Sequence, residues 1–376
     1  MKNIYILTAL LTIGLFVKSQ TTNDILNVLV RSGTLKQGQV DSLRADASIK
    51  QQEEDAKKKL FQITSSKALQ IGGYGHMRYQ HFDEDGKVDG FDIRRAYVDI
   101  KGAITPYLSY RMQTEFASSP KIIDVYAELK INEKFNFTIG QQLLPVSLNN
   151  ITSNTKLVLA DRSQVVEACT SRKGDVLGDN NGRDIGISVF GSFLPINDLK
   201  FIEYRLGVFN GSGINKSDLN DAKDLVGRIV LHPIKGLDLG GSFISGWTPD
   251  SLTINNKTAS EQLGKRQRLA GELSYTYKIF NLTAEYIAFT DGKVEKSGYY
   301  AQLAAFVLPN KIQVAGRYDS YDMNLDISDN ISTNITLGVN YFINQNATLQ
   351  VAYTFKDEEG SSIDNNFAAL QLQITF

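Results

Sequence analysis

Residues 69–376 are divided into sixteen segments of 9 to 14 residues in which apolar and polar side chains alternate. Along the chain, short connections between these segments mostly alternate with long ones. In 123–131, for example, the five odd-numbered residues are apolar and the four even-numbered residues are polar. Strands alternate in this way when one face meets an apolar medium and the other a polar one. Because soluble sandwiches alternate too, the order of the connections has to decide between the fold classes.

The order of the connections favours a barrel. The predicted strands span 69–82, 91–103, 107–118, 121–132, 134–142, 183–194, 199–210, 224–232, 237–248, 265–277, 279–290, 297–308, 311–321, 332–343, 346–356 and 366–376. The short connections are 104–106, 133, 195–198, 233–236, 278, 309–310 and 344–345. The longer ones are 83–90, 143–182, 211–223, 249–264, 291–296, 322–331 and 357–365, and 119–120 alone breaks the alternation. One end therefore carries tight turns and the other carries loops. The sequence predicts an all-β fold, a 16-stranded antiparallel transmembrane β-barrel with a short N-terminal helical segment.

Proline positions agree with this barrel, because proline cannot donate to a sheet ladder. All seven are predicted to fall in connections, at Pro106, Pro120, Pro145, Pro195, Pro233, Pro249 and Pro309. The chain has no sequence repeat of the kind that a propeller or solenoid would need. The last predicted strand alternates up to a terminal aromatic residue, Phe376, as outer-membrane barrels commonly do.

Composition excludes several other classes. The chain has 40 Lys and Arg against 41 Asp and Glu, whereas a nucleic-acid binder would show a basic excess. Cys169 is the only cysteine, which excludes internal disulfides and cysteine zinc sites. After residue 20 no apolar run is long enough for a membrane-spanning helix. The three histidines, His76, His81 and His232, lack a nucleophile motif, so we predict no enzyme, no metal and no cofactor.

The N-terminal part differs from the rest. Lys2 precedes an apolar run at 4–17, and Val17 and Ser19 are acceptable at the −3 and −1 positions of a cut before Gln20, so residues 1–19 are predicted to be an export signal peptide. Residues 20–66 read as a periplasmic helical or coiled-coil segment, with apolar residues at helical spacing before Gly33. A flexible tether and a short coiled coil between subunits both fit this segment. The barrel is predicted to occupy residues 67–376.

Strand parity predicts which charged residues face the lumen, since charges facing lipid would cost about 2–4 kcal/mol each at the midplane. The basic ones are Arg78, Arg95, Lys101, Arg111, Lys130, Arg205, Arg228, Arg266, Arg268, Arg317 and Lys356. The acidic ones are Asp99, Glu115, Asp124, Glu128, Asp184, Glu203, Asp224, Asp238, Glu272, Glu285 and Asp319. The arginines could form a ladder of donors for anions, or they could pair with the carboxylates and stiffen the wall. Since the two sets are equal in size, any anion preference should be modest.

The connection 143–182 is the predicted constriction, because it is far too long for a turn and could fold inward. Its basic residues are Lys156, Arg162, Arg172 and Lys173, and its acidic residues are Asp161, Glu167, Asp175 and Asp179. The alternative is an external loop with solvated charges of both signs.

Four segments resemble the phosphate-selective porin O and P family: 91–102 (FDIRRAYVDIKG), 140–145 (GQQLLP), 183–191 (RDIGISVFG) and 208–215 (VFNGSGIN). The resemblance implies a sixteen-stranded channel, usually a homotrimer, in the outer membrane of a Gram-negative bacterium. Phosphate channels of this family carry rows of basic residues, and the Arg-Arg-Ala sequence beginning at Arg94 matches the family pattern. Neighbours in a strand point to opposite faces, so Arg94 should face away from the lumen unless the strand bulges there.

The favoured function is that of an outer-membrane porin for passive diffusion of small hydrophilic solutes, with a slight preference for anions. The alternative is a channel selective for phosphate or polyphosphate, which needs a narrow cationic constriction. Two further classes remain. A hydrolase screen would identify an outer-membrane enzyme, and the absence of current in a bilayer would identify a closed adhesive barrel. The predicted partners are small hydrophilic solutes or anions, outer-membrane lipid and two further copies of the chain, with no nucleic acid.

Overall fold

The computed structural model of the chain describes residues 22–34, 39–40, 69–196, 199–248, 263–361 and 363–376. The chain forms two compact units, residues 1–65 and 66–376. The predicted signal peptide and most of the predicted helical segment lie outside the described residues. Of the helices described, none is long and apolar enough to cross a membrane.

In the first unit, helix α1 spans Thr22–Arg31. The helix is followed by Gly33, whose φ of 73° lies in the left-handed region that glycine adopts without strain. The amide of Thr34 donates to the Leu29 carbonyl at 3.0 Å, and the amide of Gly33 donates to the Val30 carbonyl at 3.0 Å. These two bonds form a Schellman motif, which satisfies the last carbonyls of the helix.

The second unit is a closed barrel. Its strands are β1 Gln70–Phe82, β2 Gly90–Ala103, β3 Leu108–Glu115, β4 Lys121–Lys130, β5 Asn136–Leu143, β6 Arg183–Ile196, β7 Leu199–Phe209, β8 Asp224–Ile234, β9 Leu237–Trp247, β10 Lys265–Tyr277, β11 Phe280–Asp291, β12 Val294–Leu308, β13 Ile312–Asp322, β14 Ile331–Asn344, β15 Ala347–Glu358 and β16 Phe367–Thr375. Each strand pairs antiparallel with its neighbours in chain order, and β1 pairs with β16. The predicted sixteen-stranded antiparallel barrel is therefore confirmed.

The two faces of the barrel wall differ in chemistry. Large apolar side chains are exposed at alternate positions, as at Phe91 (88%), Leu269 (66%) and Leu303 (50%). The positions between them carry most of the charged and amide side chains, and many of these are buried. An apolar outer face and a polar inner face match a barrel that has lipid outside and solute inside.

Two prolines lie inside strands, which corrects the prediction that all seven fall in connections. Pro195 is the penultimate residue of β6, and Pro233 is the penultimate residue of β8. The ladder between β8 and β9 shifts register between Leu231 and Ile234, so Pro233 falls at an irregularity where no ladder bond is required. Proline is tolerated there because the pairing is already interrupted.

A bulge in β2 decides the direction of Arg94. His76 of β1 pairs with Arg95, but the next residue, Met77, pairs with Ile93, so Arg94 is an extra residue without a partner in the ladder. A bulge re-aims the side chain of the extra residue. In a regular strand Arg94 would face away from the lumen. Because β2 is not regular at this residue, that expectation does not apply to Arg94.

A second bulge changes the assignment of Ile123. Gln113 of β3 pairs with Asp124 and Thr114 pairs with Ile122, which leaves Ile123 without a partner in the ladder. Simple alternation would place Ile123 on the outer face. Instead it is fully buried in a cluster with Tyr97 and Ile214.

Candidate functional site

The connection that follows β5, here called the inner loop (residues 144–182), enters the barrel. It contains two short helices, α2 (Leu148–Ile151) and α3 (Gln164–Cys169), with a 3-10 turn between them. It forms hydrogen bonds with side chains of β1, β9, β11, β13 and β15, namely Tyr74, Ser242, Glu285, Asp319 and Gln350. These residues alternate with the exposed apolar ones and come from strands far apart around a closed barrel. The inner loop therefore lies within the lumen.

Four consecutive strands, β13 to β16, hold the inner loop by its backbone. In each case a wall side chain donates to a backbone carbonyl of the loop. Arg317 donates to Asp161 (2.8 Å), Asn340 to Val158 (2.7 Å), Gln350 to Leu157 (3.2 Å) and Gln373 to Thr155 (3.2 Å). Each bond satisfies a backbone carbonyl of the inner loop and ties it to the wall. The three amide side chains are not among the residues predicted for the site, although the alternation of their strands is a signal that places them on the inner face.

Two carboxylates of the wall hold the starts of the two short helices. Glu285 accepts hydrogen bonds from the amides of Leu148 (3.0 Å) and Asn149 (2.7 Å). Asp319 accepts from the Ser163 hydroxyl and the Gln164 amide, both at 2.9 Å. Helix starts have free amides, and a carboxylate satisfies them with charge-assisted hydrogen bonds.

The far end of the inner loop is anchored by a buried ionic cluster. Asp175 of the loop lies 3.3 Å from Arg268 and 3.8 Å from Arg266, both on β10. Arg266 also pairs with Asp224, and Arg268 pairs with Asp291 at 2.6 Å. The two arginines are 0% and 2% exposed. This corrects their predicted role, because arginines covered by the loop and paired with carboxylates do not line open water.

A second group of arginines lies on the β1–β2 wall and is called the arginine cluster here: Arg78, Arg94 and Arg95. Arg94, re-aimed by the bulge, forms an ion pair with Asp161 of the inner loop. Arg78 pairs with Asp92 at 2.6 Å, and Arg95 lies 3.4 Å from the ring of His76. Three guanidinium groups thus share two carboxylates, so the cluster has a local excess of positive charge.

Two arginines of the inner loop itself add to this excess. Arg162 donates to the carbonyls of Asn149 (2.9 Å) and Thr152 (2.6 Å), and Arg172 donates to the side chain of Asn150 at 2.8 Å. Among the described residues neither forms an ion pair. Burial lowers the pKa of the Arg172 guanidinium to about 10, which still leaves it charged at neutral pH.

The other loop charges predicted for the constriction do not converge on one point. Lys156 and Lys173 are exposed, whereas Glu167 is half-buried. Asp161 is the loop carboxylate that meets the arginine cluster. The structure therefore brings together Asp161, Arg94 and the neighbouring wall arginines, and it leaves both lysines apart from them.

The remaining predicted basic residues lie mostly toward the turn end of the barrel. Arg111 pairs with Asp99 (2.8 Å) and Asp124 (3.2 Å). Lys130 forms an ion pair with Glu128 (3.4 Å), and Arg228 forms one with Glu272. Arg205 lies over the ring of Phe190, 4.3 Å from its centre, and Lys101 is exposed. Arg183, which is not among the predicted pore residues, pairs with Asp124 at 3.1 Å. Within the described part of the chain, no three metal-ligating side chains are grouped to hold an ion.

A closed sixteen-stranded barrel with an apolar outer face, a polar inner face and a loop folded into its lumen defines a channel of the porin class. The chain belongs to the phosphate-selective porin O and P family, which it matches over residues 69–376. It is an outer-membrane porin of a Gram-negative bacterium, and its family and fold are those of a channel rather than an enzyme.

Solved structures of other porins share this fold. The anion-selective porin from Comamonas acidovorans superposes with a TM-score of 0.61 at 14% identity, over 82% of this chain and 99% of that one. Salmonella typhi OmpF, solved in complex with daunomycin, gives 0.61 at 12% identity, over 82% and 97%. The outer-membrane channel DcaP of Acinetobacter baumannii gives 0.57 at 13% identity, over 82% and 97%. No curated protein matches the chain by sequence.

Proposed function

We propose that this porin lets small hydrophilic solutes diffuse passively past the inner loop, with a mild preference for anions. The observation that carries this proposal is the arginine cluster: within the described part of the chain, Arg78, Arg94 and Arg95 together form ion pairs with two carboxylates, Asp92 and Asp161. The buried arginines of the loop add positive charge beside it. A channel wall with an excess of one sign raises the local concentration of counter-ions. The excess is small because most other lumen arginines are neutralised by carboxylates.

Replacing Arg78, Arg94 and Arg95 together with glutamine should lower the chloride-to-potassium permeability ratio severalfold, since charge-lined clefts concentrate counter-ions about tenfold or more. The measurement is the reversal potential in a potassium chloride gradient across a planar bilayer. The matched control replaces Lys278, Lys293 and Lys311, which are exposed in turns, with glutamine. If both variants shift the reversal potential equally, net charge rather than the arginine cluster sets the selectivity.

The second candidate function is selective uptake of phosphate or polyphosphate. It is favoured by the same cluster, because Arg94 and Arg95 are adjacent and a guanidinium fork suits phosphate oxygens. Titrating inorganic phosphate against the chloride current distinguishes the two candidates. Block at low phosphate concentration supports the selective channel, whereas unblocked current with weak ion preference supports general diffusion.

We also propose the assembly and processing of the chain. Residues 1–19 act as the export signal, 20–66 form the periplasmic helical or coiled-coil segment, and the barrel of 67–376 is embedded in outer-membrane lipid as a homotrimer. The exposed apolar face supports the contact with lipid. The particle mass of the unheated protein in detergent tests the trimer, and deleting residues 20–66 tests whether that segment holds the subunits together. We propose that the channel works without catalysis, which a hydrolase screen on the purified protein checks.

A further inference from the structure

A cavity of about 800 Å³ lies at the turn end of the lumen, between the inner loop and the wall of β4 to β8. Its charged lining is four basic and two acidic side chains: Lys130, Lys200, Arg205, Arg228, Glu133 and Glu203. The inner loop contributes an apolar side to it through Pro145 and Ile151. Cavities of this size that combine an apolar wall with a few placed polar groups are typical of ligand sites.

Arg205 and Arg228 lie directly opposite each other in the ladder between β7 and β8. Like charges in this position are destabilising unless something else compensates them. Glu272 forms an ion pair with Arg228. Arg205, by contrast, forms no ion pair within the described part of the chain, and its guanidinium lies 4.3 Å from the centre of the Phe190 ring. The pair therefore carries one net positive charge.

A second pair of like charges in the barrel shows how the fold compensates such an arrangement. Glu272 and Glu285 are also opposite each other in a ladder. Glu272 binds Arg228, while Glu285 accepts hydrogen bonds from loop amides and from the Tyr300 hydroxyl at 2.6 Å. Both carboxylates have partners from the protein. Among the described residues Arg205 has no carboxylate partner, so its donors can bind a ligand.

We propose that this cavity is a binding subsite for small organic carboxylates with an apolar body, such as an aromatic monocarboxylate. The carboxylate would accept hydrogen bonds from Arg205 and Arg228, and the apolar body would lie against Pro145 and Ile151. A guanidinium presents a planar fork that matches a carboxylate, and stacking on Phe190 holds the fork of Arg205 in place. One net positive charge matches a monoanion better than a phosphate dianion. The inference deepens the proposed function, because it names a class of solute for the same channel.

Benzoate added to the periplasmic side of a bilayer should reduce the chloride current at concentrations at which acetate and inorganic phosphate have little effect. In Arg205→Gln the half-blocking concentration should rise about tenfold, as loss of a charge-assisted hydrogen bond implies. Phe190→Leu keeps the charge but removes the stacking, so it should raise that concentration about threefold. Lys278→Gln, which removes the same charge from an exposed turn, should leave the block unchanged.

The outcomes separate this inference from the proposed function. Stronger block by phosphate than by benzoate, or benzoate block that Arg205→Gln does not weaken, overturns the carboxylate subsite while conduction stands. If the protein carries no current, the proposed function fails, and calorimetric titration of the detergent-solubilised protein with benzoate then decides on the subsite. Binding heat that is lost in Arg205→Gln supports it, and absence of binding heat in the unmodified protein overturns it.

Discussion

Replacing Asp175 with alanine is expected to free the far end of the inner loop from the barrel wall and to raise the single-channel conductance. Asp175 is the loop carboxylate between Arg266 and Arg268, and it also accepts a hydrogen bond from the Ser171 amide at 2.9 Å. Removing one partner of a buried ionic network costs about 3–5 kcal/mol. This free energy should be lost from the binding of the loop to the wall, because both arginines keep a carboxylate partner on the wall itself. Arg266 keeps Asp224, and Arg268 keeps Asp291.

The barrel itself should survive this change. Single-channel recordings measure the conductance, and the mobility of unheated protein in a denaturing gel reports whether the barrel is still folded. Asp179→Ala is the matched control, since Asp179 is exposed and accepts only a local hydrogen bond, from the Asn181 amide at 3.0 Å, among the described contacts. A folded Asp175→Ala barrel with unchanged conductance would show that the other contacts are enough to hold the loop.

Replacing Gly73 with valine should prevent closure of the barrel. Gly73 and Phe376 exchange two backbone hydrogen bonds, each 3.0 Å, beside the pairing of β1 with β16. A Cβ on Gly73 would lie 2.3 Å from the Tyr97 carbonyl oxygen and 2.6 Å from the Phe376 ring. The backbone would have to move, and it would do so where the first and last strands meet. We expect little folded barrel, because an unclosed sheet exposes unpaired strand edges to lipid.

Gly271 provides the comparison for this prediction. It lies in the middle of β10, and a Cβ there would meet no atom within 4 Å. Gly271→Val should fold normally, since valine favours strands where space allows. The measurement is the fraction of each variant that migrates as folded barrel without heating. Equal folded fractions for the two variants would contradict the role of Gly73 in closure.

Much of the fold could be predicted from the sequence because a strand has a strict period of two. Alternation alone predicted the sixteen strands, and connection length predicted which end carries the loops. The same rule fails where the ladder has an extra residue. Arg94 and Ile123 both sit at such bulges, and nothing in the local pattern marks them.

The site was less predictable, because its contacts join residues far apart in the chain. Thr155 and Gln373 are separated by 218 residues, and Ser171 and Arg266 by 95. The sequence indicated that 143–182 is too long for a turn and carries both signs of charge. It did not indicate which charges meet. From the sequence, Arg266 and Arg268 are predicted to line the pore and bind anions, whereas in the structure they anchor the loop.

By itself the sequence determined the barrel, its strand number and the polarity of its two faces, since alternation and connection length are local properties of the chain. The tertiary structure alone decided which arginines are neutralised, which are covered by the loop and which have no carboxylate partner among the described residues. Arg268 and Arg205 are both basic residues at inward positions of regular strands. One lies under the inner loop between two carboxylates, and the other stacks on an aromatic ring without a carboxylate partner among the described residues. That difference arises only when distant strands and the loop are brought together, because the energy of a charge depends on its three-dimensional surroundings.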